Sequence, residues 1–175
     1  MLNCEIETNS PERIDSPAGD LLEIPPFNRL GHLPPGIHYA CFETVIQRFA
    51  TNAARKALFK RLEQFLLMVI DSNRYSHAYL GGDLTTALNS PKEIDVILQT
   101  QDSYGLHAFR AIEPLMDMGL DTIHKKYAVR LHFWCRGIPA ENDDSQDYSG
   151  SICFTESLPL STRTGAERGI VGIEL

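Results

Sequence analysis

The chain has 175 residues, enough for one domain with its own hydrophobic core. It is 43% hydrophobic and 22% charged with a formal net charge of −7, which argues against broad non-specific nucleic-acid binding, a property that rests on a basic face. No apolar run reaches the ~18–20 residues that span a bilayer, and the polar stretch from Met1 to Asp20 lacks the apolar segment of a secretory signal.

The four cysteines, Cys4, Cys41, Cys135 and Cys153, are widely spaced and form no CxxC pair. That pattern predicts free, buried thiols in a reducing cytoplasm rather than a zinc site or a disulfide framework.

In chain order, residues 1–28 read as a flexible or peripheral arm and 29–175 as a single domain. Pro25-Pro26 and Leu33-Pro34-Pro35-Gly36 impose an extended, turn-rich path. Phe42, Val45, Ile46 and Phe49 share one face of a helix predicted from Tyr39 to Phe49. Thr51 or Asn52 caps a second helix that runs to Asp71, with Leu58, Leu62, Phe65, Leu66, Val69 and Ile70 as its apolar stripe and Lys56, Lys60 and Arg61 solvated. Strands are predicted at His77–Leu80 and Ile94–Leu98, with the turn Ser90-Pro91 before the latter. A helix from Leu106 to Met118 must end or kink at Pro114. Val129–Trp134 alternates apolar and polar residues as a third strand. Glu141–Asp147 reads as a solvated acidic loop, Ile152–Phe154 as a short strand, and Gly169–Leu175 as a terminal edge strand.

The chemistry concentrates at Gly81-Gly82 and at Glu93-Ile94-Asp95. Alternate residues of a strand share a face, so Glu93 and Asp95 are expected to point the same way. Oxygen ligands suit Mg²⁺ or Mn²⁺, and the amides of a glycine turn suit phosphate, with Thr85 close by. Asp83 is read as the N-cap of a short helix after the glycines. Arg48 and Arg55 are read as partners in interhelical ion pairs, for example with Glu43, or alternatively as residues that reach phosphates, and Tyr79 and Trp134 as core or rim aromatics that alternatively stack on a base.

These pieces resemble an ordered family pattern. Leu33-Pro34-Pro35-Gly36-Ile37-His38, Glu43, Arg48-Phe49, Asn52, Arg55, the glycine turn with Thr85, Pro91 and Ile94-Asp95-Val96 are similar to a family of short, uncharacterised bacterial nucleotidyltransferase-like proteins. Its pattern is roughly LPPGIH, E-x-x-x-x-RF, N-x-x-R, G-S-F-x-T and P-x-D-I-D-V. Arg163-Thr164-Gly165 and Arg168-Gly169-Ile170-Val171 resemble its closing R-x-G-x-x-K-G-I-V. The resemblance implies an α/β (α+β) domain: a nucleotidyltransferase-like mixed sheet packed against N-terminal helices. It further implies Glu93 and Asp95 as metal-binding catalytic residues, Gly81, Gly82 and Thr85 at the triphosphate, and Mg or Mn as cofactor. His38 is expected to hydrogen-bond the LPPGIH loop.

The departures from that pattern carry as much information. Gly82 replaces the usual Ser, and Glu93 replaces the first Asp. Where the adjacent strand should offer a third carboxylate, the chain has Arg130 and His132. Arginine cannot ligate a metal, and beside Asp95 it competes with one. Two functions follow: Mg-dependent nucleotidyl transfer from a nucleoside triphosphate to a protein, RNA or small molecule, or a catalytically degenerate binding module acting with a protein partner in a defence or toxin–antitoxin pair. A homodimer built through the terminal strand and the N-terminal arm is a third expectation. No membrane partner is expected.

Overall fold

A computed structural model describes residues 24–101, 105–134 and 168–175. The expected acidic loop at 141–147, the short strand at 152–154 and residues 1–23 of the arm lie outside the described residues. Within them the architecture is α+β: a mixed five-stranded sheet with four α-helices. No helix among the described residues is long and apolar enough to cross a membrane.

The apolar stripes become the helices they predict. Helix α1 spans Phe42–Phe49 and buries Phe42, Val45 and Phe49. Helix α2 spans Ala53–Asp71, capped by Asn52, whose Oδ1 accepts from the Arg55 amide at 3.0 Å. Leu62, Phe65 and Leu66 of α2 are fully buried, each contributing about 1.5–3 kcal/mol of apolar burial. The core reaches further back than expected. Ile24 is buried, and the Phe27 ring lies 6.0 Å from that of Phe49, so these two side chains join the core, while Pro26 and Asn28 remain exposed.

The predicted first helix begins too early, because Ile37–Tyr39 forms strand β1. It pairs in parallel with β5, Ile170–Glu174, with Ile37 opposite Ile170 and Tyr39 opposite Gly172. This partner is remote in sequence, and its hydrogen bonds override the local helical pattern. The same joint explains the LPPGIH segment. The Gly169 amide donates to Leu33 O and the Ile170 amide to Gly36 O, both at 3.0 Å. A side chain at Gly169 would strike the Pro34 carbonyl and come within 2.9 Å of His38 Nε2. The expected loop contact of His38 is present, from Nε2 to Pro34 O at 2.8 Å.

Strand β2 spans Tyr75–Gly81, β3 Ile94–Thr100 and β4 Val129–Trp134. The spatial order is β1-β5-β2-β3-β4, with β3 parallel to β4 and antiparallel to β2. The terminal strand β5 is therefore an interior strand, held between β1 and β2, and not the expected edge. It has no free edge through which to build the expected homodimer.

Helix α3, Gly105–Met118, continues through Pro114 rather than ending there. A proline leaves the carbonyl four residues back without its helical donor. Here Arg74 Nη1 supplies that donor to Arg110 O at 2.7 Å, and the Tyr75 hydroxyl donates to Ala111 O at 2.8 Å. A short helix that the sequence reading left unassigned, α4 (Leu120–Tyr127), follows Gly119 at φ +83 and ends on Ala128 in the left-handed region. Arg61 is not simply solvated. Its guanidinium donates to the Lys125 and Lys126 carbonyls and so closes the C-terminus of α4.

All four helices lie on one face of the sheet. Phe65, Ile112, Leu115 and Ile123 share a single core cluster with Val96, Leu98, Leu131 and Val171.

Candidate functional site

Strand β2 ends at Gly81, and the chain turns at Gly82 into a one-turn 3₁₀ helix, Gly82–Thr85. Gly82 has φ +69, a region that side-chain-bearing residues rarely adopt. The turn also packs directly on β3: a Cβ at Gly82 would lie 2.8 Å from Asp95 Cγ and 3.3 Å from Asp95 Cβ. The register places Gly81 opposite Asp95, and Asp95 opposite Arg130. Glycine turn, carboxylate and arginine thus lie side by side on three adjacent strands, as the sequence spacing predicts.

Gly82→Ala is expected to destabilise the fold by about 1–3 kcal/mol, through the positive φ and the collision with the Asp95 carboxylate. Urea unfolding of Gly82→Ala, Asp95→Ala and the double variant checks this. The double variant should cost less than the sum, because Asp95→Ala removes the collision but not the φ. Strict additivity would mean that the two residues do not touch.

Thr85 is wholly buried. Its hydroxyl donates to Gly82 O at 3.2 Å and its carbonyl accepts from the Leu33 amide at 3.0 Å, so its side chain closes the turn. Asp83 is not the N-cap of the short helix; Gly81 holds that position, and Asp83 sits in the first turn.

Glu93 lies one residue before β3. Its Oε1 accepts from Arg130 Nη2, and its Oε2 meets His124 Nε2 of α4 at 2.8 Å. Arg130 Nη1 also lies 3.5 Å from Asp95 Oδ1, close enough for ionic attraction. That oxygen is buried and has no hydrogen-bond partner among the described residues. One guanidinium therefore bridges the two acidic residues. His124 is a contact the sequence reading missed, because its only local signal is a basic last turn on a short helix.

Burial pushes the Asp95 carboxyl above the ordinary carboxylate range, the Asp83 carboxylate pushes it further, and Arg168 offsets part of the rise. The folded state therefore holds the Asp95 proton to higher pH than the unfolded chain does. Its contribution to stability falls as pH rises from the ordinary value of 3.8 through the folded value. Asp95→Asn should consequently be more stable than the parent protein at neutral pH, with the gap closing below 3.8, as read by urea midpoints across pH. A variant less stable at neutral pH would show that attraction to Arg130 outweighs burial.

His132 points from β4 to the same side as Asp95 but stands opposite Ile97. Burial, then Arg130, lowers its pKa, which favours the neutral ring. It makes no hydrogen bond or ion pair to Glu93 or Asp95; Arg130 contacts both.

The loop after the glycine turn is held by a residue whose role was misread. Arg55 is 4% exposed and forms no interhelical ion pair among the described residues. Its guanidinium donates to the carbonyls of Phe49, Leu84, Thr86 and Leu88 at 2.7–3.4 Å. Asn52 Nδ2 adds a bond to Asn89 O at 2.8 Å. The N-x-x-R spacing is thus a clamp on the loop. Arg48 instead covers the Phe27 ring at 4.8 Å and reaches Pro25 O at 3.4 Å.

Residues 25–174 match the profile of DUF6932, a family of unknown function. The chain belongs to that family. No curated protein and no solved structure matches it. In this DUF6932 chain the residues as placed do not fit the Mg or Mn site expected of them. Both Glu93 oxygens are occupied by Arg130 and His124, and a cation already stands beside Asp95. Among the described residues no group of three or more His, Cys, Asp or Glu side chains is arranged to hold a metal ion. Tyr79 is buried, with its hydroxyl donating to Gln99 Oε1 at 2.7 Å, and so belongs to the sheet rather than to a base-stacking surface.

Proposed function

We propose that this DUF6932 chain is a nucleotidyltransferase-like binding module whose metal-binding position is taken by an internal cation. The observation that carries the reading is Arg130, at the register where a third carboxylate would complete the set, bridging Glu93 and Asp95. An arginine in contact with both acids neutralises the charge that would otherwise draw in a divalent ion. The reading is supported by the glycine turn, which lies directly against Asp95 with Gly82 at φ +69. The ligand this reading assigns is a nucleoside triphosphate, held by backbone amides and arginine.

A second reading, Mg-dependent nucleotidyl transfer, is favoured by the exposure of Arg130, whose side chain is 54% accessible, so that a metal–nucleotide complex would have to displace only partly exposed ion pairs. Thermal shifts with each nucleoside triphosphate, with and without Mg²⁺, separate the two readings when combined with an assay for released pyrophosphate. The binding module stabilises with nucleotide equally in both conditions and releases none. Mg-dependent stabilisation with pyrophosphate release establishes the transferase instead. No shift with any nucleotide overturns both.

A further inference from the structure

One cation beside the glycine turn is unpaired among the described residues. Arg168 precedes β5 and is half-buried, and its Nε is buried without a hydrogen-bond partner. It makes no ion pair among the described residues, whereas Arg130 meets both Glu93 and Asp95. A guanidinium carries five N–H donors and keeps its charge throughout the physiological pH range. Taking such a group partly out of water without a counter-charge is costly, and buried charges are as a rule paired.

The backbone fixes where Arg168 stands. Strand β5 lies antiparallel to β2 with Val171 opposite Leu80, so the residues before it run level with the glycine turn that ends β2. A Cβ at Gly81 would lie 3.3 Å from Ile170 Cγ2. Gly169 pins the chain at this point: its amide donates to Leu33 O at 3.0 Å, and any side chain there would strike the Pro34 carbonyl. Arg168 is thereby held on the β5 side of Asp95, near enough for its charge to offset part of the rise in the Asp95 pKa. Arg130 approaches the same carboxylate from β4, on the other side. The residues of β2 and its turn that lie between Arg168 and Asp95 are Gly81 and Gly82, which place no side chain there.

We propose that Arg168 is the phosphate-binding cation of this site, gripping the phosphate chain of a nucleoside triphosphate across the glycine turn while Arg130 stays with the two acids. The assignment rests on the nucleotide-binding reading above and names the side chain that carries it. A phosphate oxygen supplies what Arg168 lacks, an acceptor for Nε and a counter-charge for the guanidinium.

Titration calorimetry of the full chain with ATP, GTP, CTP and UTP tests it, on the parent protein, Arg168→Gln, Arg168→Lys and a control, Lys60→Gln, exposed on α2. The expected result is a loss of about tenfold or more in Arg168→Gln for every triphosphate the parent binds. Arg168→Lys should recover most of that loss, because an ammonium also binds phosphate, and Lys60→Gln should change affinity by no more than about twofold. Were Arg168 only a structural neighbour of Asp95, Arg168→Gln would lower the melting temperature and leave affinity unchanged. That result overturns the inference and leaves the nucleotide reading standing. An equal loss in Lys60→Gln overturns it too, since any surface charge would then serve. A parent protein that binds none of the four overturns the reading and the inference together. Mapping of phenylglyoxal-modified arginines in the parent protein covers an Arg168→Gln variant that does not fold. Arg168 should be modified in the free protein and shielded by bound triphosphate. An Arg168 unmodified in the free protein is out of a ligand's reach, and one modified equally with triphosphate bound is not covered by it; each overturns the inference.

Discussion

Arg55→Ala should destabilise the fold by about 3 kcal/mol or more, the largest loss expected of any single substitution on the polar side of the structure. The arginine is 4% exposed, and its guanidinium satisfies four backbone carbonyls, three of them in the loop that leaves the glycine turn. Alanine leaves those carbonyls without donors in a place where water enters poorly, and each buried unpaired acceptor costs about 1–3 kcal/mol. Arg55→Lys should recover only part of the loss, because a single ammonium lacks the planar fork that reaches several carbonyls at once. Urea unfolding gives the magnitude. Hydrogen exchange over residues 82–89 gives the location, since protection there should collapse before that of α2. Equal stability of Arg55→Ala and the parent protein would show that the loop holds itself.

Arg130→Asp should convert the site into one that binds a divalent cation, tightening Mg²⁺ binding roughly tenfold or more over the parent protein. The substitution removes a positive charge from between Glu93 and Asp95 and places a carboxylate at the register opposite Asp95. Without metal, the variant gathers three acidic side chains beside Asp83, and their repulsion should lower its melting temperature below that of the parent. Mg²⁺ should then raise the melting temperature of the variant and leave the parent unmoved. Titration calorimetry and thermal melts read the two effects separately. Tight Mg²⁺ binding by the parent protein, or no gain in Arg130→Asp, would remove the argument that the arginine stands in the place of the metal.

The sequence by itself determined those features whose cause is local. The apolar stripe of α2 is legible because burial of one helical face repeats every three to four residues. Gly82 is legible because a strand-to-turn transition of this kind needs φ above zero, and the juxtaposition of Glu93, Asp95 and Arg130 follows from strand alternation once β3 and β4 are recognised as neighbours.

Only the tertiary structure decided the rest. Strand β1 and the interior position of β5 depend on each other across most of the chain, and no local pattern reports a pairing partner that distant. Arg55 was legible as a charge but not as a clamp, because the carbonyls it serves lie about thirty residues ahead. His124 reaches Glu93 only because a short helix, started by Gly119 and stopped by Ala128, returns the chain to β4. Hydrophobic period reports which side of an element is buried. Which elements meet, and which polar groups then find partners, is settled by packing between segments far apart in sequence.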